Sequence, residues 1–229
     1  MRRVLGAVGR VLVTVGLLLL LFVAYQLWGT GIYQARAQND LEQQFKQSLE
    51  RSGTTTTTSP IPTTAATATT SPPPESLGPL TAPPEGDAVG RIGIPKIGVD
   101  QYVVEGVNVD DLRKGPGHYP STPLPGVHGT VAIAGHRTTY LAPFRHIDQI
   151  ENGDEIRIEM PYASFTYVAQ RHEIVDPSDV GIIKPVGYDR LVLTACHPPY
   201  SAAHRYAIFA KLTRIDLFDI SGESRWPAP

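Results

Sequence analysis

The chain has 229 residues, of which 41% are hydrophobic and 18% charged, and its formal net charge is −2. That length accommodates one domain of moderate size with accessory segments, and the near-neutral balance lacks the basic stripe of a nucleic-acid binder, so no nucleic-acid partner is expected. The single cysteine excludes an intramolecular disulfide.

The N-terminus carries Arg2, Arg3 and Arg10 without an acid, and Val11 to Trp28 holds no charged residue. At about 1.5 Å rise per residue that run spans roughly 27 Å, near the hydrocarbon thickness of a bilayer. Residues 1–32 therefore read as a cytoplasmic basic flank and a transmembrane anchor. The protein is expected in the cell membrane as a single-pass chain, N-terminus cytoplasmic and the rest extracellular. Ala35-Arg36-Ala37 offers the rival reading of a cleaved signal peptide, but it lies well past the apolar run. Residues 33–52 form a juxtamembrane helix with a narrow stripe of Leu41, Phe45 and Leu49. It lies on the membrane, pairs with a neighbour or continues the anchor, and packing against a core is not expected. Residues 53–86 are a Thr/Pro-rich disordered linker that cannot bury enough surface to offset its ordering entropy. As an extended stalk of roughly 100 Å at most, it holds the C-terminal domain off the membrane.

From Gly90 the texture changes to short β-type runs broken by turn signals, as in an all-β sandwich or barrel. The fold class expected for residues 87–217 is mainly β with short helices, followed by a tail at 218–229. Strands are expected near 90–97, 101–104, 130–134, 154–159, 164–175, 191–196 and 205–215, with helical turns at Val109 to Arg113 and Tyr140 to His146. Asn152-Gly153 is a turn ahead of Glu155 to Glu159, whose alternation predicts one wet face.

The chemistry concentrates between Leu191 and Arg205. An apolar strand ends at Cys196, Pro198 and Pro199 break it, and a second strand starts at Arg205. A free thiol is only slightly ionised at neutral pH and needs a base or cation beside it to become a useful nucleophile. Of the seven histidines, His136 is the best placed, because Val131-Ala-Ile-Ala-Gly-His136 is another apolar strand ending in a polar residue. His197 adjoins Cys196, yet neighbours on a strand face opposite ways, so it is a poor base. In the last strand Tyr206, Ile208, Ala210 and Leu212 share a face, which turns Arg205 to the side of Ala207 and Phe209. The short Cys196 to Arg205 interval permits a tight antiparallel connection that brings a cation to the thiol.

Gly-His136-Arg-Thr, then Leu193-Thr-Ala-Cys196-His-Pro, then Arg205-Tyr, with the Ile92-Gly-Ile-Pro-Lys96 entry strand, closely resembles the sortases. The Cys-His-Pro sequence with its short interval to Arg is most similar to class E of high-GC Gram-positive actinobacteria. The resemblance implies a closed sortase-type β-barrel and a cysteine transpeptidase, with Cys196 as nucleophile, His136 as acid/base and Arg205 orienting substrate and stabilising the oxyanion. It implies as partners secreted proteins bearing a C-terminal sorting signal, of LAxTG or LPxTG type, cleaved between Thr and Gly. A peptidoglycan precursor amine is the implied acceptor, and no metal or organic cofactor is needed. Asp176 to Asp189 is the loop that helps shape the groove. One departure stands out: the family often has Thr-Leu-x-Thr-Cys, whereas here Val192 and Ala195 replace both threonines.

The alternatives are another sortase class acting as a pilin polymerase, a metal site on Cys196, His197 and His204, and a non-catalytic envelope β domain with a structural cysteine. The metal reading lacks an evident fourth ligand. A serine hydrolase is disfavoured, since no Gly-x-Ser-x-Gly elbow occurs.

Overall fold

The computed structural model describes residues 2–54 and 81–218. The body of the expected linker and the tail, residues 55–80 and 219–229, lie outside the described residues, as do the side chains of 2–5, 8, 23–32 and 52–54. A long helix, α1 (Arg2–Thr54), comes first. After it the chain forms β1 (Ala88–Ile94), β2 (Val99–Glu105), helix α2 (Val109–Leu112), β3 (Gly117–His118), β4 (Thr130–Ala134), β5 (Glu155–Glu159), β6 (Ala163–Val175), β7 (Arg190–His197) and β8 (His204–Leu217). Among the described residues these strands close into a barrel in the order β1-β2-β3-β4-β7-β8-β6-β5. The β2/β3 and β4/β7 pairs are parallel.

Period-2 alternation places two apolar faces on the strands around β7. Leu191, Leu193 and Ala195 of β7, Val131 and Ile133 of β4, and Tyr206, Ile208 and Ala210 of β8 fill the barrel interior. On the outer face Ala132, Val192, Ala207, Phe209 and Val175 make a second apolar cluster, covered by Tyr119, Ile182 and Ile183. A strand buried on both faces reads as a near-continuous apolar run, which is why β7 stands out in the sequence.

Seven strands lie close to the expected positions, and the eighth is additional to them. This is β3, two residues at Gly117–His118, too short to carry periodicity. The turn at Asn152-Gly153 is present, with Gly153 at φ 100°. The alternation of β5 holds in part: Glu155 is exposed, while Glu159 is buried and faces Arg91 at 3.9 Å. The helical turn at Val109 is α2, capped by the Asn108 side chain, which accepts from Asp110 N and Asp111 N.

Two expectations are corrected. Tyr140 to His146 is not helical: Tyr140, Leu141 and Ala142 adopt φ of 50°, 54° and 43°, and a 3-10 turn comes only at Ile147–Gln149. The left-handed turn drives Phe144 inward, where its ring is fully buried and its N–H donates to His136 O at 3.0 Å. Burial of that ring outweighs the cost of the unfavourable φ angles.

The juxtamembrane segment, for its part, continues α1 and packs on β1 and β2. Leu41 and Phe45 are 2% and 3% exposed, and the Phe45 ring lies 5.7 Å from that of Tyr102. Gln38 Nε2 donates to Tyr102 O and Lys114 O, both at 2.9 Å, and its Oε1 accepts from Tyr102 N at 2.7 Å. Ala88 N donates to Gln44 Oε1 at 2.9 Å. The docking stripe runs through buried Gln34, half-buried Gln38, and buried Leu41 and Phe45, and its first two members are polar, so the sequence pattern understated the contact. The barrel therefore sits directly on α1, and the reach of the linker does not set its distance from the helix. Among the described residues no helix is long and apolar enough to cross a membrane. Within the expected anchor, the described side chains from Val11 to Phe22 are helical and exposed.

Candidate active site

Cys196 is half-buried near the end of β7. It is the direct antiparallel partner of Arg205, the second residue of β8. Opposed residues of such a pair share a face, with Cβ atoms about 5 Å apart. The two lie on the outer side, in phase with Val192 and Thr194 on one strand and Ala207 and Phe209 on the other. Arg205 NH1 donates to Ala202 O at 3.0 Å and His204 O at 3.1 Å, so carbonyls at the β7–β8 connection hold the guanidinium.

β4 runs parallel to β7 with Ala134 opposite Thr194, and Gly135 N donates to Thr194 O at 2.9 Å. His136 stands two residues past Ala134 and Cys196 two residues past Thr194, so both follow the last pair of the β4/β7 ladder. His136, Cys196 and Arg205 thus lie at one end of the β4-β7-β8 face, carried by the ends of two strands and the start of a third. Gly135 is required there: a Cβ would stand 2.5 Å from the Phe144 ring.

The His136 ring packs 5.1 Å from that of Tyr140. Tyr140 Oη accepts from Arg113 Nε at 3.0 Å, which fixes a cation nearby. Burial, and then the Arg113 charge, push His136 below the ordinary imidazole range, so the ring is a neutral base at neutral pH. His136 Nε2 is buried with no hydrogen-bond partner. Neither Arg113 nor Tyr140 was legible as a neighbour of His136, because α2 and the left-handed turn meet only through the barrel.

The outer apolar cluster runs from this end along β7 and β8 and is flanked by Ile182 and Ile183. These two belong to the Asp176 to Asp189 loop, in its 3-10 turn at Val180–Ile183. The cluster is buried beneath that loop, which places the loop next to the strands that carry Cys196 and Arg205. Thr194 Oγ1 and Tyr119 Oη lie 3.1 Å apart at its edge. The departure from the family pattern becomes interpretable: Ala195 faces the barrel interior and Val192 the outer cluster. A threonine hydroxyl at 195 would point away from the sulfur.

The metal alternative has no geometric support. His197 turns its Nδ1 to Arg137 at 2.9 Å and its ring toward Tyr206 at 5.7 Å, on the other side of β7 from Cys196. No group of three or more His, Cys, Asp or Glu is placed to hold a metal among the described residues.

The Sortase domain family model matches residues 92–213. Sortase D of Bacillus subtilis is 39% identical over 126 residues, 53% of this chain and 62% of that protein. Sortase SrtE1 of Streptomyces coelicolor is 30% identical over 222 residues, 90% of this chain and 56% of that protein. The matched region thus spans about three fifths of the length of each of these relatives. Among solved structures, sortase E from Streptomyces avermitilis superposes with a TM-score of 0.53 at 34% identity, covering 58% of this chain and 92% of that one.

Proposed function

Because the chain belongs to the sortase family, whose members are cysteine transpeptidases, we propose that it cleaves a C-terminal sorting motif between Thr and Gly and passes the acyl group to a cell-wall amine. The motif is of LAxTG or LPxTG type. The observation that carries this reading is the direct pairing of Cys196 with Arg205, beside a β4 strand whose ladder with β7 ends two residues before His136.

Neutral His136 takes the proton of the Cys196 thiol, and the thiolate attacks the threonyl carbonyl carbon. The oxygen that gains charge is held by Arg205. A guanidinium has five donors, and the carbonyls of Ala202 and His204 engage only NH1. As the C–N bond breaks, imidazolium His136 gives its proton to the departing glycyl amine. A thioester on Cys196 remains. The acceptor amine then attacks that carbonyl, His136 removes the amine proton, and collapse returns the thiol with the new amide released. Depression of the His136 pKa favours the base form at the start of each half-reaction.

The cellular setting belongs to the same proposal. The basic flank and the exposed apolar side chains of α1 support a single-pass anchor with the barrel outside the membrane. From Phe22 to Gln38 the helix rises about 24 Å, so the docked barrel stays close to the bilayer surface where precursor amines are presented. Incubating the detergent-solubilised full chain with motif peptides and an amine tests the reaction. Mass spectrometry is expected to find the peptide exchanged at Thr, with Cys196→Ala inactive. Exchange that persists in Cys196→Ala would overturn the assignment.

A further inference from the structure

His136 and Cys196 are each followed by a residue that turns the other way, and those two residues touch. Arg137 is 3% exposed. Its NH1 donates to His197 Nδ1 at 2.9 Å and points to Cys196 O at 3.5 Å. Its NH2 pairs with Asp148 Oδ1 at 2.9 Å, and its guanidinium carbon lies 5.6 Å from the Tyr206 ring centroid. A guanidinium has no acceptor, so His197 Nδ1 must be the acceptor and its ring proton sits on Nε2.

A buried cation is costly to desolvate, and an apolar residue of similar volume often serves stability as well or better. What an apolar residue cannot do here is tie two chain segments together. The β4 ladder ends at Ala134, and the last backbone bond from that side is Gly135 N to Thr194 O. Past that bond the sheet does not fix the separation of His136 from Cys196. The Arg137–His197 bond crosses the gap one residue further along both segments, and Asp148 anchors it from the 3-10 turn.

We propose that Arg137 is a positioning residue, which with His197 and Asp148 sets the separation and orientation of the His136 imidazole relative to the Cys196 sulfur. The inference rests on the reading of that pair as base and nucleophile. It places the effect in the chemical steps, since the Arg205 guanidinium is held separately by the carbonyls of Ala202 and His204.

The test is steady-state exchange by the full chain in detergent, comparing Arg137→Met, Arg137→Lys, His197→Phe and the Met/Phe double variant. Loss of alignment on the scale of an ångström costs about 10- to 100-fold in rate. Arg137→Met is expected to lose that much in kcat with KM within about twofold, and Arg137→Lys to recover part of it by keeping a donor. His197→Phe, which keeps the ring beside Tyr206, is expected to match Arg137→Met, and the double variant to lose no more than either, because both break one link. An unchanged kcat in Arg137→Met, a loss confined to KM, or single losses that multiply in the double variant would overturn the proposal. Should Arg137→Met fail to fold, Arg137→Lys and His197→Phe decide it on the same criteria. Failure of the underlying reading is distinguishable in the same assay, because Cys196→Ala would then retain exchange.

Discussion

Gln38 offers a direct test of whether α1 is part of the barrel. Tyr102 lies on β2 ahead of the point where β3 begins to pair, since that pairing covers only Val104 and Glu105. Its N–H and C=O would otherwise face a gap, and the Gln38 carboxamide fills it as a neighbouring strand would, accepting at 2.7 Å and donating at 2.9 Å, with a further bond to Lys114 O. The fit requires Gly115, where a Cβ would stand 2.3 Å from Gln38 Nε2 and 3.0 Å from Tyr102 O. Replacing Gln38 by Ala removes three hydrogen bonds at about 1 kcal/mol each, and water recovers part of the loss, leaving about 2–3 kcal/mol. At 1.4 kcal/mol per tenfold that is about 30- to 150-fold in the opening equilibrium. Residue-resolved hydrogen exchange on the full chain is expected to show the Tyr102 amide exchanging faster by that factor. The Glu105 amide, bonded to Asp87 O, should keep its rate. Unchanged exchange at Tyr102 would show that its protection does not come from α1.

Further predictions concern the barrel and the base. Arg113→Gln removes the smaller of the two causes that depress His136, so its titration, followed by NMR of the ring proton, should move up yet stay below the ordinary value because burial remains. Below about pH 6.5 the unfolded histidine binds more protons than the native one, so stability falls as pH drops through that range. The variant should soften that fall and leave stability above pH 7 unaffected by this group. No shift in the His136 titration would refute the assignment of Arg113. Gly135→Ala drives a methyl into Phe144 and should cost about 1–3 kcal/mol in denaturant unfolding, with loss of exchange activity as His136 is displaced. A variant of full stability and activity would contradict that packing. Glu105 and His118 pair at 2.8 Å where both are almost fully buried. Glu105→Leu leaves His118 Nδ1 without its partner, while Nε2 keeps Thr122 and Pro123, and should destabilise by about 1–3 kcal/mol in the same assay, whereas a loss below about 0.5 kcal/mol would show that the pair is not structurally important.

The strands that carry the chemistry are the easiest part of the sequence to read, and for one reason. β4, β7 and β8 are near-continuous apolar runs, and each meets its polar residue where burial stops. The short connection between β7 and β8 leaves little freedom of register, so the opposition of Cys196 and Arg205 is set by the chain itself. Other features depend on contacts that no local pattern encodes. Arg113 reaches His136 only through Tyr140, and Arg137 meets His197 only because two strand ends are brought side by side. Gln38 looks like part of a solvent face until the unpaired stretch of β2 is seen opposite. The Tyr140 turn departs from its expected form for the converse reason: the local residues tolerate a helix, and the demand of Phe144 for the space under Gly135 overrides them.

The measurement that bears most directly on the central claim is capture of the covalent intermediate. The full chain, mixed with a sorting-motif peptide and no amine, is quenched in acid, digested and mapped by mass spectrometry. The expected product is a thioester of the peptide, truncated after Thr, on Cys196, with its yield sharply reduced in His136→Ala and Arg205→Ala. An adduct on any other residue, or formation on Cys196 at an undiminished rate without either partner, would contradict the assignment of the three residues.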